Sequence, residues 1–163
     1  MYIGGIGYRS TQGIEGTQLH YPPAEWVNAA NAARHIKSHS GSHVFVDKEA
    51  LLKLTPQVIF IDGGGLTLFA EDVARRPEYY KTLKAFADRR VYLLHPFNWY
   101  TTNIATALTD AYAIGRILYP DRFEDIDPEA KADEIYEELA GRPVYKEMKA
   151  DYGPIGKVPS FID

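Results

Sequence analysis

Two stretches of the 163-residue chain gather side chains able to hold a ligand. One is Tyr8-Arg9-Ser10-Thr11-Gln12. The other is Phe97-Asn98-Trp99-Tyr100-Thr101-Thr102-Asn103. Together they offer one guanidinium, several hydroxyls and amides, and broad aromatic faces. A planar guanidinium pairs with carboxylates and other oxyanions through parallel N–H donors. Aromatic rings with polar tips suit the walls of a cleft. This is a recognition profile. Neither Ser10 nor Ser160 sits in a Gly-x-Ser-x-Gly elbow, and no ordered Ser/Asp/His set appears. The chain reads as a binder, not an enzyme.

Other motifs carry less. Gly5-Ile6-Gly7-Tyr8-Arg9-Ser10 approaches a dinucleotide fingerprint, but Ser10 replaces the third glycine and no helical pattern opens there. Gly63-Gly64-Gly65 lacks the Lys-Ser/Thr of a phosphate loop and reads as a flexible connection. His35, His39 and His43 repeat at i,i+4, yet Ser38, Ser40, Gly41 and Ser42 argue against the helix that a metal site would need. A surface loop is expected, and no metal site.

The elements that must position these residues follow from periodicity. Strands are expected over Tyr2 to Gly7, His43 to Val46, Gln57 to Ile61 and Arg90 to His95. A helix opens at Pro22-Pro23 with Trp26, Val27, Ala30 and Ala33 as its apolar stripe. Asp47 caps a short helix holding Leu51, Leu52 and Leu54. Helical patterns cover Ala70–Arg75, Pro77–Asp88 and Val144–Tyr152. The strongest, Asn103–Tyr119, places Ile104, Leu108, Ala111, Gly115 and Leu118 on one face. Another, Glu129–Ala140, is capped by Asp127 and ended by Gly141. The tail after Gly153 reads as extended. Strands alternating with helices predict one α/β domain over residues 1–163, a three-layer sandwich on a mostly parallel sheet. Ligands in such sheets lie beyond the carboxyl ends of the strands. That rule selects the loops Gly7–Tyr21, Asp62–Phe69 and His95–Thr102.

Composition sets the outer bounds. Hydrophobic residues are 45% and charged residues 25%, as in ordinary globular chains. The absence of cysteine excludes disulfides, thiol catalysis and cysteine-ligated metal. A net charge of −4 argues against nucleic-acid binding. An acidic block from Glu124 to Glu138 is expected to be a solvated helix face. No stretch approaches the ~20 apolar residues of a membrane span. The start of the chain has neither a basic nor an apolar leader region, so no signal peptide is read there. Tyrosine, with 12 copies, outnumbers the other aromatics and is expected in packing and at cleft walls.

Several blocks together resemble a known family. They are Tyr2-Ile3-Gly4-Gly5 with Tyr8-Arg9 and Gly13-Ile14, Tyr21-Pro22-Pro23-Ala24-Glu25-Trp26-Val27-Asn28, and Val46-Asp47-Lys48-Glu49 with Leu51-Leu52. Thr55-Pro56-Gln57-Val58-Ile59-Phe60-Ile61-Asp62, Arg90-Val91-Tyr92, and Asn103 through Ala113-Ile114-Gly115 to Leu118-Tyr119-Pro120-Asp121-Arg122-Phe123 complete the set. The chain resembles the C-terminal lobe of the substrate-binding proteins of iron-complex and vitamin B12 ABC importers. It looks closest to their iron(III) branch, which is also similar to molybdate/tungstate binders.

The resemblance implies one lobe of a two-lobed periplasmic binding protein whose lobes are joined by a rigid helix, with the N-terminal lobe absent from this chain. It implies a ligand, either an iron chelate of siderophore or haem type or an oxyanion such as molybdate or tungstate, and no resident cofactor. It implies a membrane permease as partner and a periplasmic or cell-surface parent. Tyr8, Arg9, Trp99 and Tyr100 match the cleft loops, and Glu25 matches the glutamate that docks onto the permease. A lobe without its partner would expose an apolar face, which favours pairing of two copies. The alternative is a small α/β enzyme or nucleotide binder using Gly4–Ser10 as a phosphate loop. It requires a helix N-terminus aimed at that loop.

Overall fold

Alternation in the short central strands decides how the chain layers. In β1 (Tyr2–Gly4), β4 (Ile59–Asp62) and β5 (Val91–Leu94) nearly every residue is buried, as in a sheet covered on both faces. Ile3, Phe60 and Leu94 face one core; Tyr2, Ile59, Ile61 and Val91 face the other. The computed structural model describes residues 1–7, 12–38, 41–99 and 101–162, with the backbone but not the side chain of Trp99.

The three strands pair in parallel in the order β1-β4-β5. Between β1 and β4 lie β2 (Gly16–Gln18), α1 (Pro22–Trp26), β3 (His43–Phe45) and α2 (Lys48–Leu54). A 3₁₀ turn (Gly63–Gly65), α3 (Leu66–Arg75), α4 (Pro77–Thr82) and α5 (Lys84–Ala87) connect β4 to β5. The hairpin β6 (Asn98–Trp99) and β7 (Thr101–Thr102) leads into α6 (Ile104–Leu118), followed by α7 (Pro128–Ala140) and α8 (Tyr145–Tyr152). Residues of α1, α6 and α7 share the core with Ile3 and Phe60, while residues of α2, α3 and α4 share the opposite one. This is the expected three-layer α/β sandwich.

The outer edge of β5 is covered by the tail. Leu93 N–H donates to Lys157 O at 2.9 Å, and Gly156 N–H donates to Leu93 O at 2.8 Å. Exposed ladder groups would invite pairing with another chain. The tail is therefore not a loose extended segment, and Ile155 and Ile162 are buried.

Four further expectations need correction. The helix at Pro22 ends at Trp26, and Trp26 is 49% exposed instead of inward. Asn28 turns the chain at φ 54°, and Asn31 bonds Gln18 O, Leu19 O and Ala33 N–H. Such side-chain bonds compete with the helical ladder. The strand at His43 does not join the parallel sheet; it pairs antiparallel with β2, inside the expected Gly7–Tyr21 loop. The glycine triplet is an ordered 3₁₀ turn, because Asp62 accepts the Gly64 N–H at 2.8 Å and closes it. Gly65 packs against Gly5 with no room for a Cβ. Ile104, expected on the core face of the long helix, is 53% exposed at its first turn.

The caps at Asp47, Asp127 and Gly141 hold as read: both aspartates accept backbone N–H bonds at helix starts, and Gly141 ends α7 at φ 71°. Asn103, read as the first residue of the long helix, caps it instead. The acids of the Glu124–Glu138 block are largely solvated.

Candidate functional site

Two of the three selected loops converge. Gln18 and His20 from the loop after β1, and Phe97, Asn98 and Thr102 from the loop after β5, line one cavity of 250 Å³. Trp26 of α1 and Ile104 of α6 also border it. Among the described residues its lining is apolar and uncharged-polar, with His20 as the one titratable group. Several polar groups already have partners. Gln18 Nε2 lies 2.8 Å from His43 Nε2, and Thr102 Oγ1 donates to Asn98 Oδ1 at 3.3 Å. The exposure of Trp26 and Ile104 thus has a local meaning, since both border this opening.

Beneath the same strand ends lies a buried polar cluster that motif reasoning missed. Asp110 Oδ1 accepts the His95 N–H at 2.9 Å, and Asp110 Oδ2 accepts the Tyr21 hydroxyl at 3.2 Å. His95 Nε2 meets Gly153 O at 2.9 Å, and its Nδ1 is buried without a partner. Among the described residues no lysine or arginine pairs with Asp62 or Asp110.

Burial pushes the Asp62 carboxyl up to about 7, against the opposing Gly64 N–H bond. Burial, with the Asp62 charge added, raises Asp110 well above the carboxylate range. Burial lowers His95, which stays neutral. Asp110 and His95 have no exposed surface, so neither can meet a substrate. The cluster ties Tyr21 and α6 to the end of β5. A sequence signal existed: Asp110 falls between Ala107, Ala111 and Ile114 on the buried stripe of α6.

Of the candidate residues, Tyr8, Arg9 and Tyr100 lie outside the described residues. Trp99 is placed on β6 opposite Thr101, in the hairpin that brings Asn98 and Thr102 to the cavity. Glu25 stands exposed on α1 beside Trp26, its Oε1 2.9 Å from His20 Nδ1. No group of three or more potential metal ligands occurs among the described residues.

The phosphate-loop alternative finds a helix near Gly5, but with its amide taken. Gly65, at the start of α3, abuts Gly5, yet the Gly64 N–H is occupied by Asp62 itself. Gly4 and Gly5 serve close packing, against Ile14 and the Asp62 backbone.

No protein-family model matches the sequence, and comparison with curated proteins gives no match. Solved structures do match. A solute-binding protein of an ABC transporter from Sulfurospirillum deleyianum aligns with 93% of this chain and 46% of its own, at 22% identity and a TM-score of 0.64. The molybdate periplasmic binding protein MolA of Haemophilus influenzae, with molybdate bound, aligns with 87% of this chain and 42% of its own, at 19% identity and a TM-score of 0.62. The chain has the fold of a periplasmic binding-protein lobe. The TroA-like binding protein FepB of Veillonella parvula gives the same result, over 83% of this chain and 44% of its own, at 18% identity and a TM-score of 0.57. The lobe spans less than half the length of each of these proteins.

Proposed function

We propose that this lobe belongs to the solute-binding component of an ABC importer and closes over an organic metal chelate, an iron complex of siderophore or haem type. The observation that carries this is the convergence of the β1 and β5 loops on a cavity at the strand ends that mixes apolar and uncharged-polar lining among the described residues. Its 250 Å³ approaches the range of small-molecule pockets from one lobe alone. A bare tetrahedral oxyanion fills the space of only a few waters, at about 30 Å³ each, and needs a dense set of donors. The lining around Phe97, Trp26 and Ile104 suits an organic surface with few polar groups.

In this reading Arg9 holds an anionic group of the chelate, and Tyr8, Trp99 and Tyr100 wall the cleft. Glu25, exposed beside the opening, meets an arginine of the membrane permease. The full-length parent is exported. Molybdate or tungstate is the second reading, favoured by the likeness to a protein with molybdate bound. Calorimetry on the full-length product carrying this lobe tests both. Saturable binding of a ferric siderophore, haem or cobalamin supports the chelate, tungstate or molybdate alone supports the oxyanion, and no binding to any of them refutes the proposal.

A further inference from the structure

A second groove, of 600 Å³, opens at the other end of the sheet. Its lining residue Arg89 lies two residues before the amino end of β5, whereas the first cavity lies beyond the carboxyl ends. The walls come from Val73, Pro77, Tyr80 and Phe86, closed by Phe161 and Ile162 of the tail. Behind them the Phe69 ring sits edge-on to Tyr80, Phe86 and Phe161, with centroids 5.8, 6.0 and 5.6 Å away. Tyr80 is held by its hydroxyl, which donates to Asp72 Oδ2 at 2.6 Å. These contacts fix an aromatic floor.

Among the described residues the charge lining this groove is one-sided: Lys81 and Arg89, both cations. Residues 75–90 hold six arginines and lysines against two acids, in a chain of net charge −4. Both acids are taken, Glu78 by Lys81 at 2.6 Å and Asp88 by Lys84 at 2.7 Å. Asp72 is met by Lys48 and Arg76. Arg89 is left without a carboxylate among the described residues. It also holds a left-handed backbone at φ 53°, where glycine or asparagine is at less cost.

We infer that this groove binds an amphipathic anion, an alkyl or aryl carboxylate, with its apolar body against Tyr80, Phe86 and Phe161 and its carboxylate on Arg89. The volume lies within the range of small-molecule pockets, and a guanidinium fork suits a carboxylate. The site is separate from the chelate cavity and stands or falls independently of it.

The test is isothermal titration of the full chain with sodium decanoate, decanol and sodium acetate. Decanoate should bind saturably with one site per chain, decanol roughly tenfold or more weakly, and acetate not measurably. Arg89→Asn removes the cation while suiting the left-handed backbone, so loss of binding cannot be ascribed to misfolding. It should weaken decanoate roughly tenfold or more without lowering the melting temperature. Phe161→Ala should weaken decanoate and decanol alike. Absence of saturable decanoate binding, or equal affinity in Arg89→Asn, would overturn the inference. So would Arg89-dependent cosedimentation with phosphatidylglycerol vesicles in the absence of decanoate binding, which would assign the groove to a membrane surface.

Discussion

The Tyr21 hydroxyl donates to Asp110 Oδ2 at 3.2 Å, joining residues 89 positions apart. This bond ties the residue that opens α1 to the middle of α6. Phe97 stacks edge-on against the Tyr21 ring at 5.3 Å and lines the cavity at the strand ends. Tyr21→Phe keeps the ring contact and deletes the donor. It should cost about 1–2 kcal/mol in urea unfolding, the worth of a hydrogen bond to a buried carboxyl.

Asp62 sets a pH dependence. Its folded-state pKa of about 7 exceeds the ordinary carboxylate value, so the folded chain holds a proton that the unfolded chain releases. This contribution is fully present below the unfolded value of 3.8 and is lost as pH rises through about 7. His95 works in the opposite sense: lowered from 6.5, it costs stability as pH falls below that value. Asp62→Asn keeps the acceptor for Gly64 and removes the charge. Its melting temperature should gain on the wild type as pH is raised from about 6 to about 8. A constant difference across that range would contradict the assignment.

Gly115 faces the ring of Phe123, and a Cβ there has no room. Glycine to alanine inside a helix ordinarily stabilises by about 1 kcal/mol. Here Gly115→Ala should destabilise by about 1–3 kcal/mol through overpacking. Phe123→Leu in the same background should recover part of the loss in chemical denaturation. The sign of the single change decides the point.

Glu25 and His20 pair on the surface at 2.9 Å, with side chains 40% and 58% exposed. If Glu25 docks the permease, Glu25→Gln should abolish substrate-stimulated transport in reconstituted vesicles while leaving ligand affinity unchanged. Unimpaired transport would remove Glu25 from the docking surface.

What the sequence made legible was the local physics. Asp127 and Gly141 bracket α7 where the residue order places them, and Asp47 caps as read. Long-range competition hid the rest. Asn31 stops the Pro22 helix by bonding Gln18 and Leu19, partners that only the β2–β3 ribbon brings near. Glycines 63–65 look flexible until Asp62 is seen to close them. The strand-end rule selected three loops, two of which line the cavity, because it depends on topology and not on motif. The Asp62, His95 and Asp110 cluster escaped because its members lie in three separate elements and carry no shared spacing.

The chelate assignment is tested most directly by calorimetry on the full-length product carrying this lobe, wild type and Trp26→Ala, with ferric siderophores, haem, cobalamin, molybdate and tungstate. Trp26 is half-exposed at the cavity, so its removal leaves the core intact. The account predicts saturable binding of an organic metal chelate, weakened roughly tenfold or more in Trp26→Ala. Binding of molybdate or tungstate alone, or chelate binding indifferent to Trp26, would contradict it.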